Sequence, residues 1–374
     1  EDWLKEGIIK LLKYLLSDKE NFHQMIEEKC DLYVKNYIKA TTGEETAPMK
    51  EEIAKLTEEI HKRGMKIVLD GVFNHCGSFN KWLDKERIYE NQEGYEKGAY
   101  ISADSPYRSF FRFHSDMDWP YNSNYDGWWG HDTLPKLNYE DSPQLYEYIM
   151  HIARKWVSPP YNVDGWRLDV GDEVVHEFWK KFRKAIKSVK EDAFILGEIW
   201  HYAGDFLEGD EWDSIMNYSF YYSMQDLLCH ETITASRFVE NLDFMRGRLY
   251  RDINSVLLNL IDSHDTARFL HVASENKAKL KLAAALQLLL PGMPMIYYGD
   301  EYGMTGGNDP DCRRGMVWDE KYQDHDVYKW YCNLIKARKE NLALTEGELV
   351  SCKTDDENGL IEMVRTLDGK EVVA

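Results

Sequence analysis

The sequence predicts an α/β fold, a (β/α)8 TIM barrel interrupted by one long insertion. Three observations predict it. Strand-like and helix-like segments alternate strictly from residue 65 to 299, with six strands in that span. Such alternation means parallel strands joined by crossover helices. No Gly-rich phosphate turn follows any of these strands, which favours a closed barrel over a doubly wound sheet. Finally, the connection from 74 to about 141 is too long for a crossover and rich in Tyr, Trp, Phe, Asn and Asp, which marks a functional loop or a subdomain.

The elements follow in order. MKEEIAKLTEEIHKR (49–63) spaces Ile53, Leu56 and Ile60 at helical intervals, and Gly64 is the stop. MKIVLDGVF (65–73) is a short apolar strand. SPQLYEYIMHIARKW (142–156) opens on Ser-Pro, sets Leu145, Ile149, Ile152 and Trp156 on one face, and is closed by Pro159 and Pro160. Residues 163–169 read as strand, 173–189 as amphipathic helix, 193–198 as strand and WDSIMNYSF (212–220) as strand. Helix is expected at 235–249, strand at 254–265, apolar helix at 276–290, strand at 293–299 and helix at 326–341. After about 345 the chain turns to short β-like runs, the start of a small C-terminal β domain. The expected organisation is a first barrel part over 1–75 (divergent before 49), an insertion over 76–141, the rest of the barrel over 142–344, and a β domain over 345–374.

Composition narrows the function classes. The net charge is −20, which argues against nucleic acid or an anionic membrane as partner. Hydrophobic residues make up 43% and aromatic residues 13%, enough for a large core and for flat apolar ligand faces. No run approaches 18 apolar residues, and EDWLKEGIIK lacks a signal-peptide pattern. The six cysteines, Cys30, Cys76, Cys229, Cys312, Cys332 and Cys352, form no CxxC and read as free thiols of a reducing, cytoplasmic compartment.

Charge recurs at the strand ends. In a strand, residues i and i+2 share a face. In VDGWRLD (163–169), Val163, Gly165, Arg167 and Asp169 therefore point one way, into the barrel, and Trp166 and Leu168 point towards the helices. An internal salt bridge would explain Arg167 and Asp169 by themselves. The other strands end in charge too: Asp70, with Asn74 and His75 just after; Glu198; and His264 with Asp265. Barrel enzymes keep their chemistry at these C-terminal ends. Two carboxylates flanking a glycosidic bond are the minimum for glycoside hydrolysis. The Arg167 neighbour favours the charged form of Asp169, as a nucleophile needs, and the apolar context of Glu198 (Ile195, Leu196, Ile199) favours its protonated form, as an acid needs. Asp265 is free to grip sugar hydroxyls, His75 and His264 can donate to them, and Trp200 offers a flat face to a pyranose.

DGVFNH (70–75), GWRLDVGDEV (165–174), GEIW (197–200) and SHD (263–265) resemble, in order, the four sequence regions that mark the α-amylase family, glycoside hydrolase family 13. WWGHDTLPKLN (128–138), MNY (216–218) and GMTGGNDPDCRRGMVWD (303–319) resemble its neopullulanase, cyclomaltodextrinase and maltogenic amylase branch. The resemblance implies a retaining hydrolase of α-1,4-linked glucans, which also transfers sugars when a hydroxyl replaces water. It implies Asp169 as nucleophile, Glu198 as general acid/base and Asp265 as transition-state stabiliser. Arg167, His75 and His264 would bind the sugar beside the scissile bond, Trp200 would lie on the leaving-group side, Asp309 and Arg313 would grip the non-reducing end, and Asp70 and Asn74 would support the site. Residues 76–141 would be the family's B domain.

Three departures accompany it. Nothing precedes EDWLKEGIIKLLKYLL where a first strand is due. SDKENFHQMIEEKCDLY is polar and helical in pattern where a second is due, and YVKNYIKATTG (33–43) only echoes a tyrosine-bearing segment. An N-terminal β domain is expected to be missing, and the C-terminal one cut short. Two other classes stay open: an amylase-like protein that only binds carbohydrate, and a metal-dependent barrel hydrolase using Asp70, His75, His264 and Asp265. The chain has no HxH pair for the latter. The expected partner is an α-glucan oligosaccharide and the chemistry requires no cofactor. A structural Ca2+ held by the Asp/Asn-rich loops is compatible with the sequence, whereas metal ligands and oligomeric state are left unassigned.

Overall fold

The computed structural model describes residues 47–114 and 124–374. The expectations for residues 1–46 therefore lie outside the described residues, as does the part of the insertion from 115 to 123. The chain divides into two compact units. The first comprises the described part of residues 18–198 with Glu208–Trp212, and the second comprises Ile199–Leu207 with Asp213–Ala374.

In the first unit, helix α1 (Ala47–Lys62) leads to strand β1 (Val68–Val72); helix α2 (Pro143–Val157) leads to β2 (Gly165–Asp169), and α3 (His176–Lys187) to β3 (Phe194–Gly197). β1 pairs with β2 and β2 with β3, both in parallel. The register sets Asp70 beside Arg167 and Val72 beside Asp169. The face expected to turn towards the helices does so. Trp166 and Leu168 are buried, and Trp166 meets Phe73 edge-on at 5.5 Å. Phe178, Trp179, Phe182 and Ile186, spaced along one face of α3, complete that core. Each such side chain contributes roughly 1.5–3 kcal/mol by leaving water. Gly165 lets β2 approach β3, because a Cβ there would sit 2.1 Å from the Phe194 carbonyl oxygen. α2 begins as its sequence implies: Ser142 Oγ accepts the Leu145 N–H and Pro143 takes the first helical position.

The described part of 76–141 has no long helix or strand. It carries 3-10 turns at Arg108–Phe110 and Trp128–Gly130, and single bridges between His75 and Lys136, Phe113 and Tyr125, and Gly127 and Pro135. Buried Leu83, Tyr89, Ala99, Phe110 and Phe111 give it apolar packing of its own.

The second unit holds β4 (Ser214–Asn217), β5 (Leu258–Leu260) and β6 (Met293–Met295), parallel in that order. Helices α4 (Tyr218–Leu228), α5 (Ala235–Gly247), α6 (Arg251–Val256), α7 (Phe269–Val272), α8 (Lys277–Leu289), α9 (His325–Glu340) and α10 (Leu342–Thr345) accompany them. The expected strand over 212–220 stops at Asn217, whose side chain accepts the Phe220 N–H and starts α4. The expected strand over 254–265 shrinks to three residues. Its first part is α6, where Asn254 donates back to the Arg246 carbonyl and Ser255 to that of Asp252. Such short-range bonds support a turn rather than a ladder. β7 (Glu348–Asp355), β8 (Leu360–Leu367) and β9 (Lys370–Val373) form an antiparallel sheet, as the β-like runs implied. Met363 of β8 packs into the core that α5 and α8 share, and buried Arg365 donates to the carbonyls of Leu289 and Gly347.

Candidate active site

Arg167 organises the first unit's charged residues. One of its terminal nitrogens donates to Asp169 Oδ1 at 2.7 Å and to Asp70 Oδ1 at 2.9 Å. The other pairs with Glu198 Oε2 at 2.8 Å, at an angle unlike a hydrogen bond's. Burial works against the guanidinium's charge, yet Glu198, Asp70 and Asp169 together raise its proton affinity above the ordinary value. Period two puts Arg167 and Asp169 on one face of β2, the register adds Asp70 from β1, and Glu198 follows β3 by one residue.

Glu198 is only 5% exposed, and its Oε2 also accepts the Val170 N–H at 3.0 Å. Val170 directs that N–H from a left-handed backbone, φ 48° and ψ 43°. A β-branched residue is strained there, at a cost of about 1–3 kcal/mol. Nothing in the local sequence signals Val170 as part of the site.

Asn74 and His75 lie just beyond β1, both buried, with their side-chain nitrogens 3.4 Å apart. Burial lowers the proton affinity of His75 more than Asp169 and Glu173 raise it, which makes it a neutral imidazole at neutral pH. Its ring stacks on Trp128 at 5.0 Å, with planes 7° apart. Glu173 accepts the indole N–H groups of Trp128 and Trp129, at 3.3 and 2.9 Å, and the Lys136 ammonium at 2.9 Å. Sequence reasoning assigned no role to Trp128, Trp129, Lys136 or Glu173. The WW pair and the carboxylate four residues after Asp169 were the available signals.

The second unit gathers the remaining candidates. Asp265 Oδ1 pairs with Arg313 at 2.9 Å, and Arg313 Nε with Asp309 Oδ1 at 2.7 Å. His264 Nε2 lies 3.1 Å from Asp265 Oδ2. The Asp265 N–H donates to Ser263 Oγ, and the Cys312 thiol to the His264 carbonyl. Behind them, fully buried Arg268 donates to the carbonyls of Tyr298 and Cys312 and to Asp300. It ties the loop after β5 to the loop after β6. Burial, then the charge of Asp262, pushes the Asp300 carboxyl well above its ordinary range, and burial raises Asp262 too. Trp200 packs one face on Tyr218, with centroids 3.8 Å apart, and is 37% exposed. That stack occupies one of the faces expected to meet a sugar.

Among the described residues the five cysteines are free, and no group of three or more His, Cys, Asp or Glu side chains is arranged to hold a metal ion. Nor is any described helix long and apolar enough to cross a membrane. The first unit thus offers paired carboxylates on one buried cation, and the second a carboxylate held by a surface arginine.

The family described as Alpha amylase, catalytic domain, matches residues 44–347. A cyclomaltodextrinase of Geobacillus thermopakistaniensis (strain MAS1) is 37% identical over 326 residues, which cover 87% of this chain and 53% of the relative. An intracellular maltogenic amylase of Bacillus subtilis (strain 168) is 40% identical over 323 residues, covering 85% of this chain and 52% of that one. The chain spans about half the length of these relatives. Among solved structures, the cyclic α-maltosyl-(1→6)-maltose hydrolase of Arthrobacter globiformis, in complex with cyclic α-maltosyl-(1→6)-maltose, superposes with a TM-score of 0.76. It is 30% identical, over 86% of this chain and 70% of its own.

Proposed function

The chain belongs to the α-amylase family, and we propose that it is a retaining hydrolase of α-1,4-linked glucans such as cyclodextrins, maltooligosaccharides or pullulan. Its fold class is the family's, a TIM barrel followed by an antiparallel sheet. Within that class we read 76–141 as the B domain that walls one side of the cleft.

The observation that carries the reading is the shared guanidinium. Retention requires two carboxyl groups about 5–5.5 Å apart. Asp169 and Glu198 pair with the two terminal nitrogens of Arg167, at 2.7 and 2.8 Å, which supports so close a pair. Asp169 attacks the anomeric carbon while Glu198 gives its proton to the departing glycosidic oxygen. The Asp169 ester then yields to water, whose proton returns to Glu198. A sugar hydroxyl in place of water makes the same step a transfer. Asp70 and Asn74 support this cluster. Neutral His75 can donate to a hydroxyl without a competing charge. Asp265 grips hydroxyls of the distorted ring, with His264 beside it, and Asp309 and Arg313 bind the non-reducing end. Trp200 contributes an edge and one face on the leaving-group side.

These groups supply nucleophile, acid and base, so no step calls for a cofactor, and a structural Ca2+ would act only on the fold. Free thiols and a relative named intracellular support a cytoplasmic location. None of the three catalytic carboxylates is replaced, and no observation favours a binding-only protein.

The test is reducing-sugar release from β-cyclodextrin, pullulan and maltotriose, with Asp169→Asn as control. Release by the parent and none by the variant is expected. Equal release by both would remove Asp169 from the role of nucleophile.

A further inference from the structure

Trp129 is the most exposed of the large hydrophobic residues described, at 78%. It sits in the left-handed region, φ 50° and ψ 25°. A non-glycine residue is strained there, and so exposed a ring offsets little of that by burial. Tyr250 and Tyr322 are each 70% exposed, but neither has a positive φ. Trp129 therefore joins two features that its exposed neighbours in rank do not.

The ring is also held. Its indole N–H donates to Glu173 at 2.9 Å, and Glu173 is itself fixed by Lys136 and Trp128. Burial alone would raise the Glu173 carboxyl, but these hydrogen bonds bring it below its ordinary range, so it remains an ionised acceptor. The turn beneath is rigid: Gly127 admits no Cβ, which would lie 2.1 Å from the His131 carbonyl oxygen, and the N–H groups of Gly130 and His131 donate back to Gly127 and Trp128. A side chain ordered before binding loses little entropy on binding.

Its place is specific as well. His75 stacks on Trp128 at 5.0 Å, and Trp128 meets Trp129 at 5.3 Å. His75 is near enough to Asp169 to feel its charge. A line of rings thus runs outward from the carboxylate cluster and ends on a fixed, exposed indole.

We propose that Trp129 is a stacking platform for a pyranose ring of a bound oligosaccharide, at a position beyond the sugars that the carboxylate cluster engages. The apolar C–H face of a pyranose matches a flat indole, and the Glu173 bond leaves the ring face open in orientation while fixing its edge. This rests on the α-glucan reading above. It adds a length preference to it, since only a chain long enough to reach Trp129 gains the contact.

The test is calorimetric titration of the full chain carrying Asp169→Asn, which binds without turnover, with maltohexaose and with maltotriose. Adding Trp129→Ala should weaken maltohexaose binding roughly tenfold, the scale of one lost aromatic stack, and maltotriose binding by less than about twofold. Trp129→Phe, which keeps an aromatic face but loses the Glu173 bond, should restore part of the loss. Equal weakening for both sugars, or none for either, would overturn the platform and leave the hydrolase reading intact. A protein that binds neither sugar before Trp129 is changed would overturn both.

Discussion

Strand β2 carries an ion cluster at each end, and the two are opposite in make-up. At its start, Asp164 accepts from Lys190 at 2.8 Å, pairs with His61 at 2.7 Å and Lys66 at 3.2 Å, and accepts the Ile67 N–H at 2.9 Å. At its end, Arg167 gathers Asp169, Asp70 and Glu198. The first is one buried carboxylate ringed by basic groups, with exposed Asp192 beyond Lys66, and the second one cation among carboxylates. Their settings differ as well. Lys66 keeps 67% of its side chain in water and also lies 3.8 Å from exposed Asp192, so the positive charge at the first cluster is solvated and shared. In the second cluster Asp70 keeps 57% of its side chain in water, but Glu198 keeps only 6%, against Arg167. A charge left in water costs little, whereas one kept from it costs several kcal/mol unless it is paired. The first cluster holds α1, the entry to β1 and the chain after α3 together. The second gathers three carboxylates on one guanidinium, at the strand end where the proposed chemistry lies.

Substitutions at the two ends should therefore separate stability from activity. The largest effect is expected from Asp169→Asn, which should lower kcat by about 10^4-fold or more while leaving Tm nearly unchanged. A fall in Tm with kcat retained would put Asp169 in the same class as Asp164. Arg167→Leu should cost about 10^2–10^3 in kcat/KM, the scale of losing one preorganised charge partner, read from maltotriose hydrolysis.

Asp164→Asn should do the reverse. It should lower unfolding free energy by about 2 kcal/mol, less than a fully buried pair would, because Lys66 is exposed. Turnover should stay within about twofold. The pH dependence has a definite sign. Burial would raise the Asp164 carboxyl, but Lys190, the Ile67 N–H, His61 and Lys66 hold it well below its ordinary range. A depressed folded value means that its stabilisation is complete above the unfolded pKa, about 4, and is lost as pH falls through the folded one. The difference between parent and Asp164→Asn in urea midpoint should be steady from pH 7 to about 5 and narrow below about 4.

The smallest effect on stability is expected at Val170→Gly. Relief of left-handed strain and the entropy of a glycine oppose each other, so unfolding free energy should shift by no more than about 1 kcal/mol. Activity should fall severalfold, because the N–H that fixes Glu198 loses its preset direction. Unchanged activity would show that the Val170 N–H is not needed to place Glu198.

Much of this was legible in the sequence wherever short-range geometry rules. The alternation of Arg167 and Asp169 against Trp166 and Leu168 follows from the two-residue period of a strand, and Trp166 and Leu168 are buried as read. Ser142-Pro143 announced α2. Asn217 could have announced α4 in the same way, since Asn before Tyr-Ser-Phe is a capping signal, but the apolar run upstream made it read as strand. Asp164 went unremarked, because its partners lie 26 to 103 residues away and no local pattern shows them. The same holds for Glu173, whose partners Lys136, Trp129 and Trp128 lie 37 to 45 residues upstream.

The sequence by itself determined which residues are candidates for the chemistry, which faces of each strand and helix are apolar, and the family to which they point. These follow from residue type and from periods of two and 3.6, which covalent geometry imposes on any chain. Only the tertiary structure decided that Asp70 stands beside Arg167, that Glu198 shares its guanidinium, that Val170 is turned left-handed to hold Glu198, and that Trp129 is presented to solvent. Those outcomes depend on strand register and on contacts between segments far apart in the chain. Core packing fixes them, because a one-residue slip would carry every side chain of β2 to the wrong face.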